Sequence, residues 1–121
     1  MMTLHWNRCA GDRWCWFLNV NLDHPSFLGG LSGHLEGVYV IWLGNGGRTV
    51  YVGSGQIANR LRSHRLASWV PKYGDDLLVT WAVVATQLQE GVERYLIDTL
   101  QPLEVQRRPA ADPIMVNTPS S

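Results

Sequence analysis

Lysine is almost absent from this sequence, and there is no excess of charge of either sign. Lys72 is the one lysine beside nine arginines, and the formal net charge of the 121 residues is zero at pH 7. This balance argues against the generally basic surface that drives phosphate binding. The arginines nevertheless cluster, within Arg60–Arg65 and at Arg107–Arg108, and arginine suits bidentate phosphate contacts. A general compositional preference for arginine explains these clusters equally well.

Long hydrophobic runs are also missing from the sequence. No stretch approaches the roughly 18 apolar residues of a membrane span, so no membrane partner is expected. The first residues, Met1–Arg8, lack the basic start and apolar block of a signal peptide, and we therefore expect a cytoplasmic protein. Hydrophobic residues still make up 45% of the composition, which is enough for a folded core. The length predicts a single domain over residues 1–121.

Cysteine is scarce as well, since the sequence contains only Cys9 and Cys15. Cysteines in a cytoplasmic protein are normally reduced, and we expect these two to be buried beside the neighbouring tryptophans. His5 and His24 lie close in sequence, which leaves a structural zinc site as an alternative. The C-x5-C spacing matches no common zinc pattern, so a zinc-stabilised interaction domain is the weakest hypothesis.

Alternation of apolar residues between positions 13 and 22 predicts a β-strand. The apolar side of this pattern contains Trp14, Trp16, Leu18, Val20 and Leu22. A segment rich in glycine and turn-forming residues follows it. We therefore expect residues 1–35 to form an N-terminal extension that adds an edge strand to the main sheet.

The main sheet is predicted to begin with two apolar runs, 37–43 and 49–52, separated by a glycine-rich turn with an Asn-Gly hairpin signal. Gly53 permits a sharp exit from the second strand, and Ser54 is suited to cap a helix over about residues 56–68. The apolar residues expected to face the sheet from this helix are Ile57, Leu61 and Leu66 or Ala67.

A continuous apolar run over residues 77–84 predicts a buried central strand. Thr86 and Gln89 have the spacing of a capping box, and apolar residues recur at every fourth position until Pro102 stops the helix. Ile114–Val116 is apolar enough to pair at a sheet edge. The whole pattern predicts an α/β (α+β) domain with a small, mostly antiparallel sheet of three to four strands flanked by helices.

The two tyrosine-containing strands carry a recognisable pattern. Gly37-Val38-Tyr39, eleven intervening residues and Tyr51-Val52-Gly53 resemble the signature of the GIY-YIG nuclease superfamily. Arg60 and His64 match the helix that follows this signature in the family. The resemblance implies a domain that hydrolyses DNA phosphodiester bonds with one divalent cation, Mg²⁺ or Mn²⁺.

A later segment extends the resemblance. Glu93, on the helix that ends at Pro102, matches the metal-binding glutamate of the family. The similar region covers about residues 36–105 and leaves 106–121 as an irregular tail. Four weak motifs in the order and at the spacing of the family make the resemblance specific.

The resemblance implies a role for each matched residue. Tyr39 is the general base or water-orienting group, helped by His64, because a free tyrosine has a pKa of about 10 and needs its proton removed. Tyr51 positions the phosphate or the attacking water. Arg60 neutralises the phosphate, and Glu93 binds the metal. One carboxylate is a sparse ligand set, which suits Mg²⁺ because this ion keeps several waters.

Two departures from the family pattern bear on the site. The spacing between Tyr51 and Arg60 is one residue shorter than in many members, which leaves Arg62 as a second candidate for the arginine. The family has an asparagine three residues after the helix-ending proline, where this chain has Val105 followed by Gln106. Asn117 is the candidate replacement, reached by a different chain path.

Four further residues are candidates for substrate binding: Gly53, Arg62, Arg65 and Trp69. Trp69 follows the arginine-rich helix and could stack on a base or sugar, although packing in a hydrophobic patch is the commoner role of such a residue. The tryptophans on predicted strands, Trp16, Trp42 and Trp81, are expected in the core.

The leading hypothesis is therefore a metal-dependent endonuclease that cuts DNA, or alternatively RNA. No separate targeting module is evident, so we expect weak sequence specificity unless loops, dimerisation or a protein partner supply it. The alternative is a non-catalytic module on the same fold that binds nucleic acid or protein. Zero net charge and the missing asparagine favour this alternative.

Overall fold

The computed structural model describes residues 1–29, 33–104 and 107–119. Within these residues the chain forms one four-stranded antiparallel sheet and two α-helices. The strands are β1 (Cys15–Trp16), β2 (Glu36–Leu43), β3 (Thr49–Gln56) and β4 (Leu77–Val83), and the helices are α1 (Ile57–His64) and α2 (Thr86–Leu100). The strand order is β1-β4-β2-β3. The predicted α+β class is confirmed, and so is the interior position of β4.

Side chains of β2 are buried on both faces of the sheet. Tyr39 and Ile41 point into the core shared with α1, whereas Val38 and Val40 point into the core shared with α2. This alternation follows from the two-residue repeat of an extended strand. Each helix therefore covers one face, and the two faces meet only at the edges of the sheet.

Strand β3 is the sheet edge that matters for the site. Part of it is covered after α2, because the backbone N–H groups of Leu103 and Glu104 donate to the carbonyls of Thr49 and Val50, each at 3.0 Å. The rest of the strand, from Tyr51 onward, is where side chains from the α1 face and the α2 face can meet.

The predicted N-terminal strand is much shorter than expected. β1 does lie at the sheet edge beside β4, but it has two residues, and the chain turns away after Phe17. The predicted apolar side is wrong, because Cys15 and Phe17 are buried whereas Trp16 is 51% exposed. Pairing with β4 decides which side chains of this strand face the core, and the alternation of tryptophans in the sequence does not. Trp42 and Trp81 are buried as expected.

Cys9 and Cys15 form a disulfide, so the prediction of two reduced cysteines is wrong. A tight turn brings them together, since the Cys9 N–H donates to the Arg13 carbonyl at 2.8 Å. Only Cys15 is buried. Both sulfurs are engaged in the bond and are not metal ligands in this structure. A disulfide is the form favoured by oxidising compartments.

Helix α1 begins later and ends earlier than predicted. β3 continues through Gly53 to Gln56, so Gly53 makes no sharp exit and Gln56, not Ser54, is the N-cap residue. Ile57 and Leu61 face the core as expected. Of the two alternatives beyond them, Leu66 is 87% exposed, whereas Ala67 packs against the core, and both lie after the end of the helix.

Helix α2 confirms the four-residue repeat, with Val92 and Leu96 fully buried. The capping box is wrong: Ala85 is the N-cap residue, no side chain caps the helix, and Gln89 is buried and donates to the Val84 carbonyl at 2.9 Å. None of the helices in the described residues combines the length and hydrophobicity needed to cross a membrane.

The C-terminal tail crosses α2 and meets the N-terminus. The apolar run 114–116 was expected to be able to pair at a sheet edge; Val116 instead pairs with Met2 in an isolated bridge outside the four strands. The Ile114 N–H donates to the Gly91 carbonyl at 2.9 Å. A β-carbon on Gly91 would lie 2.7 Å from the Asp112 carbonyl oxygen, so the missing side chain allows this close crossing.

Candidate active site at the edge of strand β3

The two signature tyrosines share the α1 face of the sheet. In the β2–β3 register, Tyr39 pairs with Gly53 and Ile41 pairs with Tyr51. Their rings are nearly parallel, with centroids 6.4 Å apart and an interplanar angle of 14°. Tyr39 is fully buried, whereas Tyr51 is half-buried and reaches solvent.

Gly53 makes room for the ring of Tyr39. A β-carbon placed on Gly53 would lie 2.2 Å from the Tyr39 hydroxyl oxygen and 2.4 Å from Cζ. Gly53 is itself buried, so its contribution is steric. Substrate contact by this glycine stays a prediction.

His64 joins the two tyrosines from the last turn of α1. Its Nε2 lies 2.6 Å from the Tyr39 hydroxyl oxygen, and its ring lies 4.4 Å from that of Tyr51. Burial and the nearby charge of Arg60 lower the pKa of His64 to about 4. The imidazole is therefore neutral at physiological pH and can accept a hydrogen bond from Tyr39.

Both tyrosines keep their protons near neutral pH. Burial raises the pKa of Tyr39 well above its ordinary value, although the Arg60 guanidinium beside it acts in the opposite direction. Burial also raises the pKa of Tyr51. The free protein therefore contains no preformed tyrosinate. The protonated hydroxyl of Tyr39 lies between the neutral imidazole of His64 and the guanidinium of Arg60.

Arg60 is the arginine of α1 that faces this site. Its guanidinium lies close to the Tyr39 hydroxyl, and its side chain passes over Gly55, where a β-carbon would lie 3.4 Å from Arg60 Cγ. Proximity to the Tyr39 phenol raises the pKa of its guanidinium. Arg60 remains exposed, so it can meet an anion that arrives from solvent.

The other two arginines of this cluster have different partners. Arg62 forms an exposed ion pair with Asp23 at 2.8 Å. Arg65 donates from Nε and Nη2 to the carbonyls of Phe17 and Val20, at 3.0 and 2.6 Å. Arg65 therefore holds the N-terminal extension against α1, and neither arginine lies where Arg60 does.

Glu93 reaches the same edge from the opposite face. Ser54 alternates with Gly53 and so points toward α2, where its hydroxyl donates to Glu93 Oε1 at 2.6 Å. Burial raises the pKa of Glu93, while the Ser54 hydrogen bond and the charge of Arg60 lower it. Glu93 and Arg60 are thus close enough to interact across the edge of β3.

The donor set around Glu93 fits a hard cation that keeps its water. In the three described ranges no group of three or more His, Cys, Asp or Glu side chains could hold a metal, which is unlike a structural zinc site. Glu93 offers one half-buried carboxylate beside the Ser54 hydroxyl. Mg²⁺ typically binds through one or two carboxylates plus phosphate oxygens and waters, so Glu93 suits it.

Trp69 lies at the outer end of the aromatic group. It is half-buried and stacks on Tyr51 with centroids 5.8 Å apart and an angle of 14°. Tyr73 packs edge-on against it, and the Tyr73 hydroxyl donates to Glu104. Trp69 is therefore held beside the site as an extension of the tyrosine rings, and stacking on a base remains a prediction.

Asn117 is not brought to Glu93. Its side-chain oxygen accepts from the Leu4 N–H at 2.6 Å and its amide donates to the Leu4 carbonyl at 3.0 Å, which engages both ends of the amide. Val105 and Gln106, which occupy the position of the family asparagine, lie outside the described residues.

The sequence analysis did not predict the hydrogen bond from Ser54 to Glu93. The strand alternation that puts Tyr51 and Gly53 on the α1 face also puts Ser54 on the α2 face, and this alternation could have predicted the contact with Glu93. Ser54 was interpreted as a helix cap instead, because the strand was expected to end at Gly53.

No protein-family model matches this chain, and no curated protein or solved structure matches it. The family resemblance of its motifs therefore remains a prediction, and the functional argument depends on the geometry of the site.

Proposed function

We propose that this protein is a metal-dependent endonuclease that hydrolyses DNA phosphodiester bonds at the β3 edge. The observation that supports this most strongly is convergence. Tyr39, Tyr51, Arg60 and His64 come from one face of the sheet and Glu93 from the other. A phosphodiester cleavage site needs such a combination of cation, proton acceptor and metal-binding carboxylate.

Glu93 would hold the divalent cation, which when bound would stabilise negative charge on the phosphate and promote ionisation of water. Ser54 orients the carboxylate by its hydrogen bond to Oε1. Arg60 is the cation that would bind the phosphate. It is exposed, and it is close enough to both Tyr39 and Glu93 to interact with them electrostatically.

Tyr39 and His64 together form a proton relay. Because the pKa of Tyr39 is raised and that of His64 is lowered to about 4, the phenol cannot act as a free anion. As the oxygen of water bonds to phosphorus, the bond from phosphorus to the leaving sugar oxygen breaks, and the water proton passes to Tyr39 while the Tyr39 proton passes to His64 Nε2. The leaving oxygen takes up a proton from solvent water, and the cation that Glu93 would hold would stabilise its negative charge until then. No tyrosinate accumulates, and the imidazole carries the charge.

The burial of Tyr39 defines when this relay can operate. In the free protein its hydroxyl is buried, with His64 Nε2 at 2.6 Å and the Arg60 guanidinium close by. Transfer of the Arg60 guanidinium from Tyr39 to a bound phosphate would uncover the hydroxyl. Half-buried Tyr51 then contacts the phosphate or the attacking water.

The test is cleavage of supercoiled plasmid with Mg²⁺ or Mn²⁺. Glu93→Gln is expected to abolish cleavage, while Glu90→Gln, one turn earlier on the same helix, should retain most of it. Tyr39→Phe should reduce the rate about 100-fold or more if the hydroxyl relays a proton. Full cleavage by Glu93→Gln would contradict the proposal.

A non-catalytic nucleic-acid-binding module is the second candidate. Two observations favour it: Tyr39 is fully buried, and Asn117 is engaged with Leu4. This candidate predicts that the wild-type protein binds DNA without cleaving it and that Glu93→Gln leaves binding unchanged. The same plasmid assay, combined with a binding measurement, separates the two.

A further inference from the structure

A cavity of about 340 Å³ extends from Glu93 away from the tyrosines. Its walls come from β3, from α2 and from the chain after α2, and its lining residues are Ser54, Glu90, Glu93, Arg107, Pro109 and Ala110. Two carboxylates on this surface would repel a nucleic-acid strand that leaves the site on this side. A cation there would offset the repulsion, and Arg107 is the cation of this wall.

The segment that carries Arg107 is anchored to α2 through Arg94 of that helix. Arg94 donates to the Pro109 carbonyl at 3.1 Å and pairs with Asp98 at 2.9 Å. Arg108 also pairs with Asp98, at 2.6 Å. The bond from Arg94 holds Pro109 against α2, and Arg107, two residues before Pro109, lines the cavity.

Arg107 differs from Arg108 in having no such partner. It forms no hydrogen bond or ion pair with another residue of the described ranges, and it is exposed. Arg62 is paired with Asp23, and Arg65 is bound to backbone carbonyls. Arg60 and Arg107 are therefore the two arginines with guanidinium groups available beside Glu93, on opposite faces of the sheet edge.

We propose that Arg107 binds a backbone phosphate of the nucleic acid next to the one that is cleaved, on the Glu90 side of the site. This inference rests on the proposed function. Arg60 lies against Tyr39 on the α1 face, where the reacting phosphate must be, so a second cation on the α2 face takes a neighbouring phosphate. The strand then crosses the β3 edge from Trp69 past Glu93 to Arg107.

The test measures DNA binding by fluorescence anisotropy with a short labelled duplex, without divalent cation and over a series of salt concentrations. Arg107→Ala should weaken binding about tenfold at low salt. It should also reduce the slope of log affinity against log salt by about 0.9, as expected for the loss of one phosphate contact. Arg107→Lys should keep the slope.

Arg108→Ala is the matched control, since it removes the adjacent arginine, whose charge is already paired with Asp98. It should leave the salt slope unchanged. In cleavage assays Arg107→Ala should raise KM with little change in kcat, because it removes binding that is equal in ground and transition states. Arg60→Ala should instead reduce kcat.

The outcomes separate this inference from the proposed function. A wild-type protein that neither binds nor cleaves DNA would overturn both. A wild-type protein that cleaves DNA while Arg107→Ala keeps the wild-type slope and KM would overturn the Arg107 inference alone. An equal loss of slope in Arg107→Ala and Arg108→Ala would also overturn it, since it would indicate a general effect of charge.

Discussion

Replacement of Gly53 by alanine is expected to disable the site by displacing Tyr39. The added β-carbon would lie 2.2 Å from the Tyr39 hydroxyl oxygen and 2.4 Å from Cζ. Ordinary contact between such atoms requires about 3.5 Å, so the ring must move by about 1 Å or more. The 2.6 Å contact with His64 would then be lost.

The expected magnitudes follow from this displacement. Forcing extra volume into a packed core costs about 1–3 kcal/mol, and Tyr39 is fully buried. Alanine in a strand would otherwise stabilise the fold by about 0.5–1 kcal/mol relative to glycine, so the predicted sign comes from the clash alone. A misplacement of about 1 Å at the site should reduce cleavage roughly 100-fold.

The assay combines thermal unfolding with plasmid cleavage for Gly53→Ala in two backgrounds. Tyr39→Val removes the ring, so in that background Gly53→Ala should be neutral or slightly stabilising. The difference between the backgrounds is the coupling energy between the two positions. Wild-type melting temperature and wild-type cleavage by Gly53→Ala would refute the reasoning, as would an equal loss of stability in both backgrounds.

Three other predictions follow from the same contacts. Ser54→Ala removes a hydrogen bond that lowers the pKa of Glu93, so the acid limb of the cleavage pH profile should move to higher pH; an unmoved limb would contradict this. Arg65→Ala leaves two backbone carbonyls without their donor and should lower the free energy of unfolding in urea by about 2–4 kcal/mol. Arg62→Ala breaks an exposed ion pair and should lower it by less than about 1 kcal/mol. Similar losses in the two variants would refute the structural role of Arg65. The folded-state pKa of His64 is lowered to about 4 from 6.5, so its contribution to stability is fully present above pH 6.5 and is lost as the pH falls from 6.5 toward 4. His64→Gln should therefore flatten the dependence of the unfolding free energy on pH in that window. An unchanged slope would contradict this prediction.

Strand periodicity could be predicted from sequence where a strand is long and apolar. The alternation in β2 and β3 places Tyr39 and Tyr51 on one face, because successive side chains of an extended chain point to opposite sides. It failed at Trp16, which is exposed, because β1 has only two residues and its phase is fixed by pairing with β4. Local pattern cannot determine a phase that a distant strand imposes.

Helix chemistry was predictable in part for a similar reason. The four-residue repeat of α2 could be read locally and places Glu93 beside the buried Val92. Its capping box could not, because Gln89 is buried and bonded to the Val84 carbonyl. The two cysteines illustrate the same limit. The expected cytoplasmic location favoured reduced thiols, but a local turn brings the two sulfurs within bonding distance.

The sequence alone determined the α+β class, the paired tyrosine strands and the helical register of Arg60, His64 and Glu93, because each depends on backbone periodicity over a few neighbouring residues. Only the tertiary structure decided which groups meet. It placed Arg60 beside Tyr39, paired Arg62 with Asp23, joined Ser54 to Glu93 and directed Asn117 to Leu4. These partners come from strands, helices and tails far apart in the chain, and the packing of both helices on one sheet is what brings them to a single edge.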